Sequence, residues 1–170
     1  ALAAGNGGFE MVCTVYPDAR GCNKPALFRS PDGEAWNGSP GIHTAGPGDI
    51  VAMTGYDRYA DADINGMNVL LREGDKLRLY FGNFRDFGKI YRATASGDGT
   101  TFTLDGIALE ERLMVNDVKK FCTPEGDWYL MGLHRNLSTM CYALSRDGLR
   151  FGPSKLLFES LSAEEYYMVA

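Results

Sequence analysis

Asp117 is the residue of this chain best placed to do chemistry. It lies in Val115-Asn116-Asp117-Val118, an acidic side chain flanked by apolar strand formers. A carboxylate in such a setting is either paired or functional. Two more acidic positions recur at similar spacing. Asp63 stands 54 residues earlier, ahead of Ile64-Asn65, and Glu165 stands 48 residues later, beside Glu164 and ahead of Tyr166-Tyr167. Carboxylates gathered in one space can divide acid and base roles between them, because each environment sets its own pKa. Each position also has a plainer reading. Asp117 suits a strand-start turn, Asp63 a loop shared with Asp61, and Glu165 a solvated Ser-Ala-Glu-Glu turn. Tyr56, Tyr59, Tyr166 and Tyr167 offer flat apolar rings with polar tips, fit for stacking on a ligand or for packing. His134 closes an apolar strand as a packing or ligand-contacting residue. With His43 it makes up the chain's two histidines, too few for a multi-histidine metal site. No metal and no other cofactor is expected.

These residues must be positioned by short strands. Residues 127–159 read as a three-stranded antiparallel meander, with apolar runs separated by polar turns. The pattern Ser-x-Asp-Gly-x-x-aromatic occurs three times, at Ser30 to Trp36, Ser96 to Phe102 and Ser145 to Phe151. In such a turn Ser and Asp bond nearby backbone N–H groups, and Gly takes positive φ without a Cβ clash. Glu-Gly-Asp precedes a strand twice, at Glu73 to Asp75 and at Glu125 to Asp127. The motif serines are 66 and then 49 residues apart. Repeats of 40–50 residues made of short strands indicate propeller blades, each a four-stranded sheet that buries its faces against its neighbours.

The expected fold is therefore all-β. Blades are placed at about residues 9–46, 64–109 and 115–160, with residues 166–170 starting a further inner strand. The first blade lacks an inner strand in this count. The excess in the first spacing falls on residues 55–63, expected as a rim loop of the kind that carries function.

Composition narrows the classes. The chain has 170 residues, 45% of them hydrophobic, 12% aromatic and 23% charged, with a net charge of −5. That suits one globular domain. The acidic balance argues against nucleic acid, whose phosphates need a basic stripe. No apolar run approaches a membrane span, and residues 1–8 lack the basic start and apolar core of a signal peptide. The four cysteines form no Cys-x-x-Cys motif. Cys13 and Cys22 flank Pro17-Asp18 symmetrically, so they are either a cross-strand pair or two separate thiols. The compartment stays open.

The repeated turn, the Tyr-Leu-Met-Gly strand and the Asn/Asp at the start of an inner strand resemble the five-bladed β-propeller glycoside hydrolases. These are the arabinanase and β-xylosidase families with their levansucrase and invertase relatives. The resemblance implies three carboxylates pointing into the central channel from successive inner strands, in the order Asp, Asp, Glu. Here those are Asp63 as base or nucleophile, Asp117 as the orienting residue and Glu165 as general acid. Two carboxylates across a glycosidic bond are what this hydrolysis needs. The implied partner is a carbohydrate, contacted by Tyr56, Tyr59, His134 and Tyr166. The Asp-Pro and Glu-Gly-Pro contexts usual in those families are absent. The second function class is a non-catalytic propeller piece that binds glycan or protein. Three blades cannot close a ring, so the chain is expected either as a truncated five-bladed propeller or as half of a six-bladed homodimer.

Overall fold

The computed structural model describes residues 2–4, 7–15, 21–36, 50–65, 67–96, 101–135 and 138–160. They form three small sheets. The first is antiparallel and contains β1 (Leu2–Ala3), β2 (Phe9–Val15) and β3 (Lys24–Ser30), in that spatial order. The segment β4 (Ala52–Thr54) comes next in the chain and joins the second sheet. That sheet contains β5 (Asn68–Glu73), β6 (Lys76–Gly82), β7 (Ile90–Ser96) and β8 (Thr101–Leu109), all antiparallel, with β4 beside β8 as a parallel fifth strand. The third sheet is an antiparallel meander of β9 (Met114–Thr123), β10 (Gly126–His134), β11 (Thr139–Ser145) and β12 (Lys155–Glu159). Among the described residues the helical segments are two single 3-10 turns, Tyr59–Asp61 and Phe84–Asp86. The all-β, partial-propeller expectation therefore holds, and the second sheet carries β4 as a strand beyond the four expected.

The turn motif works as its chemistry requires. Ser145 Oγ accepts from the N–H of Asp147 at 3.2 Å and of Gly148 at 3.0 Å. Asp147 Oδ1 accepts from the N–H of Leu149 and of Arg150, both at 2.8 Å. The first copy repeats this closely: Ser30 Oγ accepts from Gly33 N–H at 2.7 Å, and Asp32 Oδ1 accepts from Glu34 and Ala35 at 2.8 and 2.9 Å. Gly33 and Gly148 have φ of +85° and +67°, the left-handed region where a Cβ is costly. These backbone bonds, outweighing the effect of burial at Asp147, hold the Asp32 and Asp147 carboxyls below the usual carboxylate range. In the middle copy, Ser96 to Phe102, residues 97–100 lie outside the described residues.

Two seams hold the sheets together. Met67, Tyr80, Leu113, Val115, Met131 and Leu133 belong to the core between the second and third sheets. Leu27, Val51, Ile64, Leu79, Phe81 and Phe102 belong to the core between the first and second. Polar groups cross the seams as well. Tyr80 Oη donates to Gly148 O at 2.6 Å, and Phe151 sets its ring edge-on to Tyr80, with centroids 6.1 Å apart. An aromatic residue at the end of the turn motif thus packs on the neighbouring blade.

Two expectations change, and one open alternative is resolved. First, Leu2–Ala3 pairs with Phe9 and Glu10 on the side of β2 that faces β5. The first sheet therefore has a short strand at the inner position that the sequence count left empty. Its Ala4 N–H bonds Gly8 O at 2.7 Å, closing the reversal into β2. Second, residues 50–64 anchor into the seam through Val51, Tyr56, Ala62 and Ile64, while Gly55, Asp57, Arg58, Ala60 and Asp61 of the expected rim loop stay exposed. Ile50 bridges to Ala26, β4 crosses to the second sheet, and Ala62 and Ile64 are fully buried. The cysteine alternative resolves to two separate thiols: Cys13 stands opposite Ala26 across the hairpin, neither Cys13 nor Cys22 is in a disulfide, and Cys22 Sγ donates to Asp61 O at 3.6 Å. Residues 166–170, expected as a further inner strand, lie outside the described residues.

Candidate functional site

The strand β5 lies between β9 on one side and β1 with β2 on the other, and a cavity of about 170 Å³ opens among these four strands. At roughly 30 Å³ per molecule it has room for several waters. Glu10, Asn68, Asn116, Asp117 and Lys119 supply its polar lining, and Leu2, Val12 and Leu70 are among its apolar walls.

Asp117 reaches this cavity because β9 is irregular. Asp117 stands opposite Gly132 and Val115 opposite Leu133, so Asn116 is an extra residue with no partner in the ladder. Such a bulge changes the face to which the following side chains point. In a regular strand Val115 and Val118, three apart, would point to opposite faces. Here both are buried in the core between the second and third sheets. The Val-Asn-Asp-Val run thus keeps both valines inside while Asn116 and Asp117 line the cavity.

The Asp117 side chain is 49% exposed. Its Oδ1 accepts from the Val118 N–H at 2.8 Å, and Oδ2 lies 3.0 Å from Lys119 Nζ. The other carboxylate of the cavity, Glu10, is only 5% exposed. It is paired with Arg72 and, at 3.6 Å, with Arg29. Such enclosure leaves Glu10 committed to its arginines and Asp117 open to a ligand. Asn68 Nδ2 donates to Thr14 Oγ1 at 2.8 Å and links β5 to β2.

His134, at the end of β10, pairs its Nδ1 with Asn116 Oδ1. An amide oxygen only accepts, so Nδ1 carries the proton. Burial pushes the pKa of His134 down, which favours the neutral ring. His134 is therefore next to the cavity, one residue removed from Asp117.

The other expected site residues are placed elsewhere. Asp63 is absent from the lining of this cavity. Its Oδ1 accepts from Asn23 Nδ2 at 2.7 Å and Asn23 N–H at 3.3 Å, while its own N–H donates to Asn83 Oδ1 at 3.0 Å. These bonds tie the first sheet to the corner after β6. Tyr56 is 9% exposed and packs against Phe81 and Tyr91, with ring centroids 5.8 and 4.9 Å away. Its hydroxyl accepts from Asn83 Nδ2 at 3.0 Å. Tyr59 donates to Val51 O at 2.5 Å, lies under Lys24 Nζ, and its phenol pKa is pushed up by burial. Both rings are used in packing the seam. Glu165 and Tyr166 lie outside the described residues. Sequence reading missed Glu10, Asn68, Asn116 and Lys119. The only local sign was the three-residue spacing of Val115 and Val118, which a regular strand cannot bury on one face.

No family model and no curated protein matches the chain in sequence. Solved structures do match it in fold. One is a family 43 β-1,3-galactosidase, at TM-score 0.54 and 15% identity over 91% of this chain and 34% of that one. A second is an exo-β-1,3-galactanase from Clostridium thermocellum, at TM-score 0.56 and 11% identity over 90% and 35%. A third is an endo-arabinase from Bacteroides thetaiotaomicron, at TM-score 0.53 and 13% identity over 94% and 60%. The chain thus spans about a third to three fifths of these structures. Its fold is that of the five-bladed β-propeller glycoside hydrolases, present over part of their length.

Proposed function

We propose that this chain is the part of a propeller glycoside hydrolase that supplies one channel carboxylate, Asp117, to the cleavage of a glycosidic bond. The supporting observation is the bulge at Asn116, which brings a half-exposed carboxylate to the cavity between the inner strands. Ionised, Asp117 can orient a sugar hydroxyl or stabilise the positive charge that develops at the anomeric carbon. Lys119 at 3.0 Å supplies the countercharge.

Hydrolysis needs a second carboxylate across the bond. Asp63 is the weaker of the remaining candidates, because its carboxylate already accepts two hydrogen bonds from Asn23. Glu165 is the general acid in this proposal, carried over from the order Asp, Asp, Glu. The substrate class is an oligo- or polysaccharide, and galactans and arabinans come first because the structural neighbours act on them. The test is incubation of the full-length protein with aryl galactosides and arabinosides and with both polymers, reading released sugar. Turnover of one series, abolished by Glu165→Gln, is the expected result. Absence of turnover on every substrate would overturn the catalytic reading.

A further inference from the structure

We propose that His134 is a positioning residue for Asp117: it clamps the bulged Asn116 and so fixes where the neighbouring carboxylate stands in the channel. The inference rests on Asp117 being the channel carboxylate. It adds a role for a half-buried pair that the proposed chemistry does not itself require.

Three observations carry it. Asn116 is the unpaired residue of the β9–β10 ladder, so ladder bonding alone does not fix it. Its side-chain oxygen is held by His134 Nδ1 from the facing strand. Its Nδ2 is buried and finds no acceptor among the described residues. The imidazole is therefore the single hold on this amide among the described residues. A bulge held by one side-chain bond can shift when that bond is lost. A misplacement of about 1 Å at a reacting group costs on the order of a hundredfold in rate.

The clamp makes a specific demand on geometry. The donor must sit at the Nδ1 position. In His134→Asn the amide nitrogen takes up nearly that place, whereas in His134→Gln it falls near the Nε2 position. Two readouts separate this inference from the glycosidase reading. Amide hydrogen exchange at Asp117 and Val118 reports the clamp whether or not the protein turns over sugar. Turnover of aryl glycosides reports its consequence.

Exchange at those two amides should accelerate at least tenfold in His134→Ala and in His134→Gln, with β6 unchanged, and should stay near wild type in His134→Asn. In the same series kcat should fall ten- to a hundredfold for Ala and Gln, with KM within threefold, and recover in Asn. Should His134→Ala fail to fold, the comparison of Asn with Gln decides alone. Equal behaviour of Asn and Gln, or unchanged exchange at Asp117 in Ala, would overturn the clamp. Exchange that follows the pattern in a protein without turnover would sustain the clamp and refute the glycosidase reading. Turnover unaffected by any of the three substitutions would do the reverse.

Discussion

The phenol of Tyr129, in the third sheet, donates to the carboxylate of Glu73, at the end of β5 in the second. Glu73 also accepts from Arg78 Nε at 2.9 Å and lies 3.5 Å from Lys120 Nζ. The Lys120 ammonium in turn lies over the Tyr129 ring. One carboxylate thus links two blades across a partly buried seam.

The pH dependence of stability follows from this link. Burial alone would raise the Glu73 pKa, but Tyr129, Arg78 and Lys120 outweigh it and hold the carboxyl below its ordinary value. A carboxylate with a depressed folded-state pKa adds stability above its unfolded value of about 4.5 and loses it as pH falls through the folded value. Glu73→Gln should therefore lower stability at pH 7 by about 1.5–3 kcal/mol, the range for hydrogen bonds to charged groups. It should also flatten the acid limb of the stability curve. Urea unfolding at pH 7 and at pH 3.5 checks this, and a constant difference between variant and wild type at both pH values would refute it.

Of the two described turn-motif glycines, Gly33 and Gly148, Gly148 should be the less replaceable. Its φ is +67°, and a Cβ there would meet Tyr129 Cε1 at 2.7 Å and Cδ1 at 2.8 Å. At Gly33, with φ +85°, the nearest atom is Phe9 Cε2 at 3.5 Å. Both alanine variants incur left-handed strain of about 1–2 kcal/mol. Gly148→Ala adds overpacking of roughly 1–3 kcal/mol. Thermal unfolding should place Gly148→Ala clearly below Gly33→Ala, and equal midpoints would contradict the packing assigned to Tyr129.

The third sheet predicts association. Leu156, Leu157 and Phe158, consecutive on the edge strand β12, and Phe121 and Leu130 on β9 and β10 are 37–66% exposed, and an open edge strand carrying exposed apolar residues invites pairing. Light scattering of the 170-residue chain at low micromolar concentration should show species above the monomer, reduced by Leu130→Glu with Leu157→Glu. A monodisperse monomer that the double variant leaves unchanged would refute it.

The repeat was legible because its turn chemistry is local. Ser, Asp and Gly at fixed offsets close their own hydrogen bonds, so Ser145 to Phe151 announced a turn with no knowledge of the rest. The strands β5 to β12 followed from it. The seam between the first two sheets was not legible. That β4 runs parallel to β8, and that Tyr56 and Asp63 are used in packing and bracing, depends on contacts between residues far apart in the chain. Asp117 stood out as an acid among apolar residues, but the bulge that directs it to the cavity depends on pairing with Gly132 and Leu133. Alternation read along one strand does not contain that register shift.

Asp117 is expected to work as a carboxylate of the channel and not as a brace of β9. Its folded-state partners are the Val118 N–H and the exposed Lys119, and an exposed ion pair contributes little to stability. Asp117→Asn keeps the shape and removes the charge. The measurement is kcat on the best aryl glycoside together with the thermal midpoint, for the full-length wild type and this variant. A loss of at least a hundredfold in kcat with Tm within about 2 °C is predicted, since 1 kcal/mol moves Tm by roughly 2–4 °C at this size. Retained turnover, or a fall in Tm matching the fall in activity, would contradict the account.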